Sequence, residues 1–126
     1  MRRVRAREAR TGEGGAATAE LAMVLPLLVA VAAGLVWLLA VGAAQVRTVD
    51  AARETARALA RGDDQGDAVA RGLRVAPEGS RISVSRGDRE VRVTVSGRVE
   101  GPGGLFSGLA APEVRAEAVA ADEAVP

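Results

Sequence analysis

No cysteine, histidine, tyrosine or lysine occurs among the 126 residues, and Trp37 and Phe106 are the only aromatics. Without cysteine there are no disulfides and no thiolate metal sites. Without histidine the commonest general base and the commonest metal ligand are missing, and without tyrosine one more nucleophile is gone. Serine and threonine remain, but no imidazole stands by to activate them. Gly101, Gly103 and Gly104 lack the lysine and the hydroxyl residue that a phosphate-binding loop needs. The carboxylates are scattered among arginines, as on a solvated face. These absences lead us to expect no enzyme, no cofactor, no metal and no small-molecule substrate. Nucleic acid is excluded on similar grounds. The 17 basic residues are offset by 16 acidic ones, leaving a net charge of +1, and two aromatics build no stacking platform. All the basic residues are arginine, which alongside so much Ala, Val and Gly reads as compositional bias.

What is present is a long uncharged run. No ionisable side chain occurs in the 26 residues between Glu20 and Arg47. Leu21 to Ala44 would span about 36 Å as a helix, enough to cross a hydrocarbon core of about 30 Å with modest tilt. Pro26 lies near the start of this run, where a membrane helix tolerates it. Gly34 and Gly42 are eight residues apart, which is not a GxxxG pair, so they read as ordinary membrane-helix glycines. Trp37 reads as mid-segment, away from an interfacial belt. Arg2, Arg3, Arg5, Arg7 and Arg10 precede the run, and this basic leader points the N-terminus into the cytoplasm with the remainder outside.

Three processing outcomes fit that layout. A conventional signal peptide would be cut near Val41-Gly42-Ala43 or Gly42-Ala43-Ala44, although this run is longer than an apolar signal region of about 7–15 residues. An uncut segment would be a plain signal anchor. The third outcome is a cut before the run, after Gly15, which leaves the helix in the product. Glu20 argues for a special arrangement, because an acid beside bilayer hydrocarbon costs a few kcal/mol. It otherwise marks only the headgroup level where the membrane begins.

Gly15 followed by Ala16-Ala17-Thr18-Ala19-Glu20 and then Leu21-Ala22-Met23-Val24-Leu25-Pro26 resembles the prepilin-peptidase signal of type IV pilins. More narrowly, this stretch and Gln45 to Arg57 resemble the TadE-like minor pilins, or pseudopilins, of tight-adherence (Flp) pilus systems, which serve bacterial adhesion. Leu21 stands where the major Flp pilin usually has tyrosine, and the tail is larger than in that short subunit. Both departures favour a minor pilin. The resemblance implies that Gly15 precedes the cut, that Ala16 is the mature N-terminus, and that Glu20 sets register in assembly. It implies as partners a prepilin peptidase, other pilins, assembly-platform proteins and the lipid bilayer. The implied location is the cytoplasmic membrane, spanned once, with the chain at the pilus base or in the fibre. A new amino group on Ala16 would lie four residues from Glu20, where helical neighbours meet. Pilin-type contacts are heterologous and propagate as open helical filaments. The other function class that fits is a secreted or single-pass anchored binding module unrelated to pili.

The expected architecture is α+β: a basic leader over 1–15, a transmembrane helix over 16–46, an exposed helical stem over 47–62, and a small extracytoplasmic αβ domain over 63–126. The helix is expected from about Ala17 to Arg61. Val46, Val49, Ala52, Ala56 and Leu59 suggest its apolar stripe, Asp50–Arg53 and Glu54–Arg57 suggest ion pairs, and Gly62 supplies the stop. Asp63-Asp64-Gln65-Gly66-Asp67 lacks the ligand alternation of a calcium loop and reads instead as a helix cap for Ala68–Leu73. Ala76 to Gly79 reads as a turn. Ile82 and Val84, then Val91, Val93, Val95 and Val99, alternate as two strands of a hairpin across Gly87-Asp88-Arg89. Val114, Ala116, Ala118 and Ala120 suggest a third strand, for about three in all, packed against the helix with open edges. Leu105-Phe106-Ser107-Gly108-Leu109 is expected to plug the end of the sheet.

Overall fold

The computed structural model describes residues 2–103 and 108–123, with side chains from residue 12 onward. Helix α1 runs Arg2–Ala60, α2 Gln65–Val75, and three strands follow: β1 Arg81–Arg86, β2 Glu90–Arg98 and β3 Glu113–Ala121. The fold class is α+β. Residues 1–36 and 37–126 form two separate units. The first unit is helical. Its start at Arg2, well before Ala17, follows from the leader's arginines, alanines and glutamate, all strong helix formers.

In the second unit α1 ends where glycine permits it. Gly62 has φ 86°. Its N–H donates to the Leu59 carbonyl (3.0 Å), and the Asp63 N–H donates to the Ala58 carbonyl (3.1 Å). This paired closure satisfies carbonyls that the helix leaves open, and it needs the left-handed conformation that glycine adopts without strain. Asp64 then caps α2, its Oδ1 accepting from the Gly66 N–H (2.8 Å) and the Asp67 N–H (3.2 Å). The cap expected from sequence is realised. Asp64→Ala should lower stability by about 1 kcal/mol. Thermal unfolding of the detergent-solubilised chain measures that loss, and an unchanged midpoint would contradict it.

The sheet is antiparallel in the order β1-β2-β3. Ile82 faces Val95 and Val84 faces Val93 across the first pair; Val93 faces Ala118 and Val95 faces Ala116 across the second. The Gly87 N–H donates to the Glu90 carbonyl (2.8 Å) and closes the hairpin. Beyond the other ladder, the Val99 N–H donates to the Pro112 carbonyl (3.1 Å) and the Asp122 N–H to the Arg89 carbonyl (3.0 Å). Val99 thus lies just past the end of β2 and not within it.

The core joins the sheet to the last turns of α1. Val91, Val93, Val95 and Ala116 are buried with Ala51, Ala52, Ala56, Ala58 and Leu59 of α1 and Ala68 of α2. Each buried valine contributes roughly 1.5–3 kcal/mol. The helix face is built mostly from small residues and two buried threonines, Thr48 and Thr55. Their hydroxyls donate to the Ala44 and Ala51 carbonyls (2.7 and 2.8 Å), so burying them leaves no donor unmet.

This corrects two expectations. Val46 is 60% exposed and lies off the buried stripe, about 200° round the helix from both Ala44 and Thr48. The pairs Asp50–Arg53 and Glu54–Arg57 do not form among the described residues. Instead Asp63 pairs with Arg71 (3.1 Å) and Arg61 (3.5 Å), and Arg86 with Asp122 (3.4 Å). Asp63 and Asp122 lie just outside the helices and strands, so the fold and not helical spacing decides their partners.

Candidate functional site: the exposed apolar helix and its collar

The processing, register and membrane-helix residues expected from the sequence all lie on α1. Gly15, Ala16, Glu20, Leu21, Pro26 and Gly34 belong to the first unit, Trp37 and Gly42 to the second. Gly15, Ala16 and Glu20 fall within about one and a half turns and are all exposed. A Cβ added at Gly12, Gly14 or Gly15 would meet nothing. Each glycine lowers helix stability by about 1 kcal/mol relative to alanine, so the backbone around Gly15 opens more readily than its neighbours. Thr18 donates its hydroxyl to the Gly14 carbonyl at 2.9 Å, an i−4 back-bond that competes with the helix ladder.

Beyond Glu20 the helix presents unbroken apolar surface. Leu21 is 69% exposed, and Leu25, Leu27, Leu28, Val36 and Leu39 are also exposed. A continuous band of this kind is unfavourable in water and is what a lipid-facing helix presents. The helix is long and apolar enough to cross a membrane once. Pro26 is accommodated inside it, and no Cβ clash limits Gly42.

The first polar side chains after the apolar run fasten the second unit together, a role that sequence reasoning missed. Gln45 Nε2 donates to the Arg115 carbonyl of β3 (2.9 Å). Arg47 donates from Nε to the Val75 carbonyl (3.1 Å) and from Nη2 to the Ala76 carbonyl (3.3 Å). Those carbonyls end α2, where a cation complements the helix dipole. The available signal was positional, since Gln45 and Arg47 are the first hydrogen-bonding side chains past Ala44. Gln45 also occupies part of the outer edge of β3, which shortens the strand edge free for addition.

The outer sheet face is charged. Arg92 lies between Glu90 (3.1 Å) and Glu117, bonded to both. Its guanidinium donates to the Glu90 and Glu117 carboxylates, which hold it above the ordinary arginine pKa. A polar cleft at the opposite end of β2 is lined by Glu78, Arg81, Ser96, Arg98, Glu100 and Glu113. Among the described residues no cluster of carboxylates is placed to hold a metal ion. Leu109 is 60% exposed; Leu105, Phe106 and Ser107 of the expected plug lie outside the described residues.

Comparison with known proteins adds one finding. The family model described as TadE-like protein matches residues 15–57. No curated protein and no solved structure matches the chain. The matched segment begins at Gly15, covers the apolar run, Gln45 and Arg47, and stops before α2 and the sheet. Over residues 15–57 the chain is similar to the TadE-like family, consistent with a TadE-like protein of tight-adherence pilus systems.

Proposed function

We propose that the chain is a minor pilin, or pseudopilin, of a tight-adherence (Flp-type) type IV pilus. A prepilin peptidase cuts it between Gly15 and Ala16, and it then takes part in assembly through its membrane helix. It performs no catalysis and takes no cofactor. Its helix is held in the cytoplasmic membrane with residues 1–15 on the cytoplasmic side and the αβ domain outside. Other pilins and assembly-platform proteins are its partners.

The observation that carries this reading is the TadE-like match beginning at Gly15, with an exposed Glu20 four residues after Ala16 and a lipid-competent helix directly behind. Physically the arrangement is economical. A cut at Gly15 removes the basic leader that resists extraction from the membrane. It also creates an ammonium group at the positive end of the helix dipole, where a carboxylate one turn on, or one on an adjacent subunit, offsets its charge.

Co-expression with a prepilin peptidase tests the processing step. The wild-type chain is expected to lose residues 1–15, and Gly15→Ala to remain full length by intact mass, because the added methyl occupies the backbone that the peptidase must grip. Normal trimming of Gly15→Ala would rule out this cut site.

A further inference from the structure

The sequence between Glu100 and Glu113 carries no ionisable side chain, and the structure places its described end in an unexpected position. Leu109, Ala110 and Pro112 line a cleft of about 350 Å³ together with Trp37, Leu38 and Val41 of α1. All six lie in the unit formed by residues 37–126. The walls are apolar, yet Leu109 and Leu38 are 60% and 63% exposed. None of the six belongs to the domain's buried core.

Its level along α1 identifies what covers it. A hydrocarbon core of about 30 Å takes about 20 helical residues, which counted from Leu21 end near Ala40. Trp37 to Val41 straddle that outer boundary, and Gln45 and Arg47, the first polar side chains, lie just beyond it. Both are bonded to backbone of the αβ domain, which holds the domain down to this level. Trp37, mid-segment when the span is taken as Leu21 to Ala44, falls at this boundary when the span is counted as about 20 residues, a place that suits an apolar ring with a polar N–H.

We propose that the β2–β3 connection is a second membrane contact: Leu109, Ala110 and Pro112 sit in the outer leaflet, and a lipid acyl chain fills the cleft they form with Trp37, Leu38 and Val41. This rests on the reading that α1 spans a bilayer. The lipid-exposed surface of α1 continues into the cleft without an intervening charge, so hydrocarbon reaches it by continuity. The consequence is orientational. A helix alone leaves its domain free to swivel about the membrane normal and tilt, whereas two contacts fix which sheet face looks away from the membrane. The charged face around Arg92 is then presented in one direction to neighbouring subunits.

The chain offers two clean reporters. Trp37 is its only tryptophan, and it has no cysteine, so Leu109→Cys carries a single environment-sensitive fluorophore. Val119→Cys, on the exposed outer face of β3, is the aqueous control. The full chain is reconstituted in phosphatidylcholine vesicles containing a lipid spin-labelled near the acyl carbonyl, with iodide as the aqueous quencher. Quenching of unlabelled Trp37 by spin-labelled lipid reports the span. The probe at position 109 should be blue-shifted, lose most of its emission to the spin-labelled lipid and resist iodide, while the probe at 119 does the opposite. If Trp37 is quenched by lipid but the 109 probe responds to iodide like the 119 probe, the second contact is wrong and the span stands. Shielding of the 109 probe from both quenchers, growing with the protein-to-lipid ratio, would place a second copy in the cleft and overturn the proposal. An unquenched Trp37 would overturn both.

Discussion

Glu20→Ala is expected to leave membrane insertion intact while pilus assembly falls to background. In the single chain Glu20 is exposed and makes no ion pair among the described residues. Its removal therefore breaks nothing within the fold. It also removes an acid that costs up to about 3 kcal/mol towards the bilayer centre, so insertion should be unchanged or improved. Between subunits the balance reverses. A mature Ala16 ammonium group carried into the bilayer needs a counter-charge, and losing one partner of a buried pair costs about 3–5 kcal/mol. Glu20→Gln should behave like Glu20→Ala, because the charge and not the size is required. Carbonate-resistant membrane fractions report insertion, and sheared-pilus yield reports assembly. Full piliation in either variant would remove the role assigned to Glu20.

Gly72→Ala is expected to lower the melting temperature of the αβ domain by on the order of 10 °C, a large effect for one methyl group. A Cβ at this position would lie 2.0 Å from Thr55 Oγ1, 2.8 Å from Ile82 Cδ1 and 3.4 Å from the Ala51 carbonyl oxygen. Gly72 is the point where α2 meets both α1 and β1. Overpacking of this kind costs about 1–3 kcal/mol. Thr55 cannot turn aside freely, because its hydroxyl is bonded to the Ala51 carbonyl. Thr55→Ala removes the nearest obstructing atom, so the double variant should melt above Gly72→Ala alone. A melting point for Gly72→Ala equal to wild type, measured on the full chain in detergent, would show that α2 is not seated through this glycine.

The parts of this fold legible in the sequence are those governed by local periodicity and local hydrogen bonding. The alternation of Val91, Val93 and Val95, with Ala116 opposite, gave the sheet its inner face. Asp64 and Gly62 marked helix ends because capping chemistry is confined to a few neighbouring residues. The buried face of α1 was harder to see. Ala52, Ala56 and Leu59 of the expected stripe are buried, but much of the rest, Ala44, Thr48, Ala51, Thr55 and Ala58, is small residues that carry little hydropathy signal and let a sheet approach closely. Val46, the larger residue, drew the eye and is exposed because it lies on the far side of the helix. Gly72, Gln45 and Arg47 act through contacts with residues distant in sequence, which no local pattern encodes.

The candidate site divides in the same way. The segment from Gly15 onward was legible because a family pattern is linear in sequence, and the apolar run because a membrane-crossing helix is defined by length and composition. The cleft between Trp37 and Leu109 was not, because it depends on where the chain between β2 and β3 comes to rest.

The central claim is that the mature protein begins at Ala16 with its helix retained. The most direct measurement is the intact mass and N-terminal sequence of the protein recovered from its own cell's membrane fraction. A chain starting at Ala16 is the predicted result. A chain starting near Ala44 or Gln45, its apolar run discarded as a signal peptide, or an uncut chain starting at Met1, would contradict it.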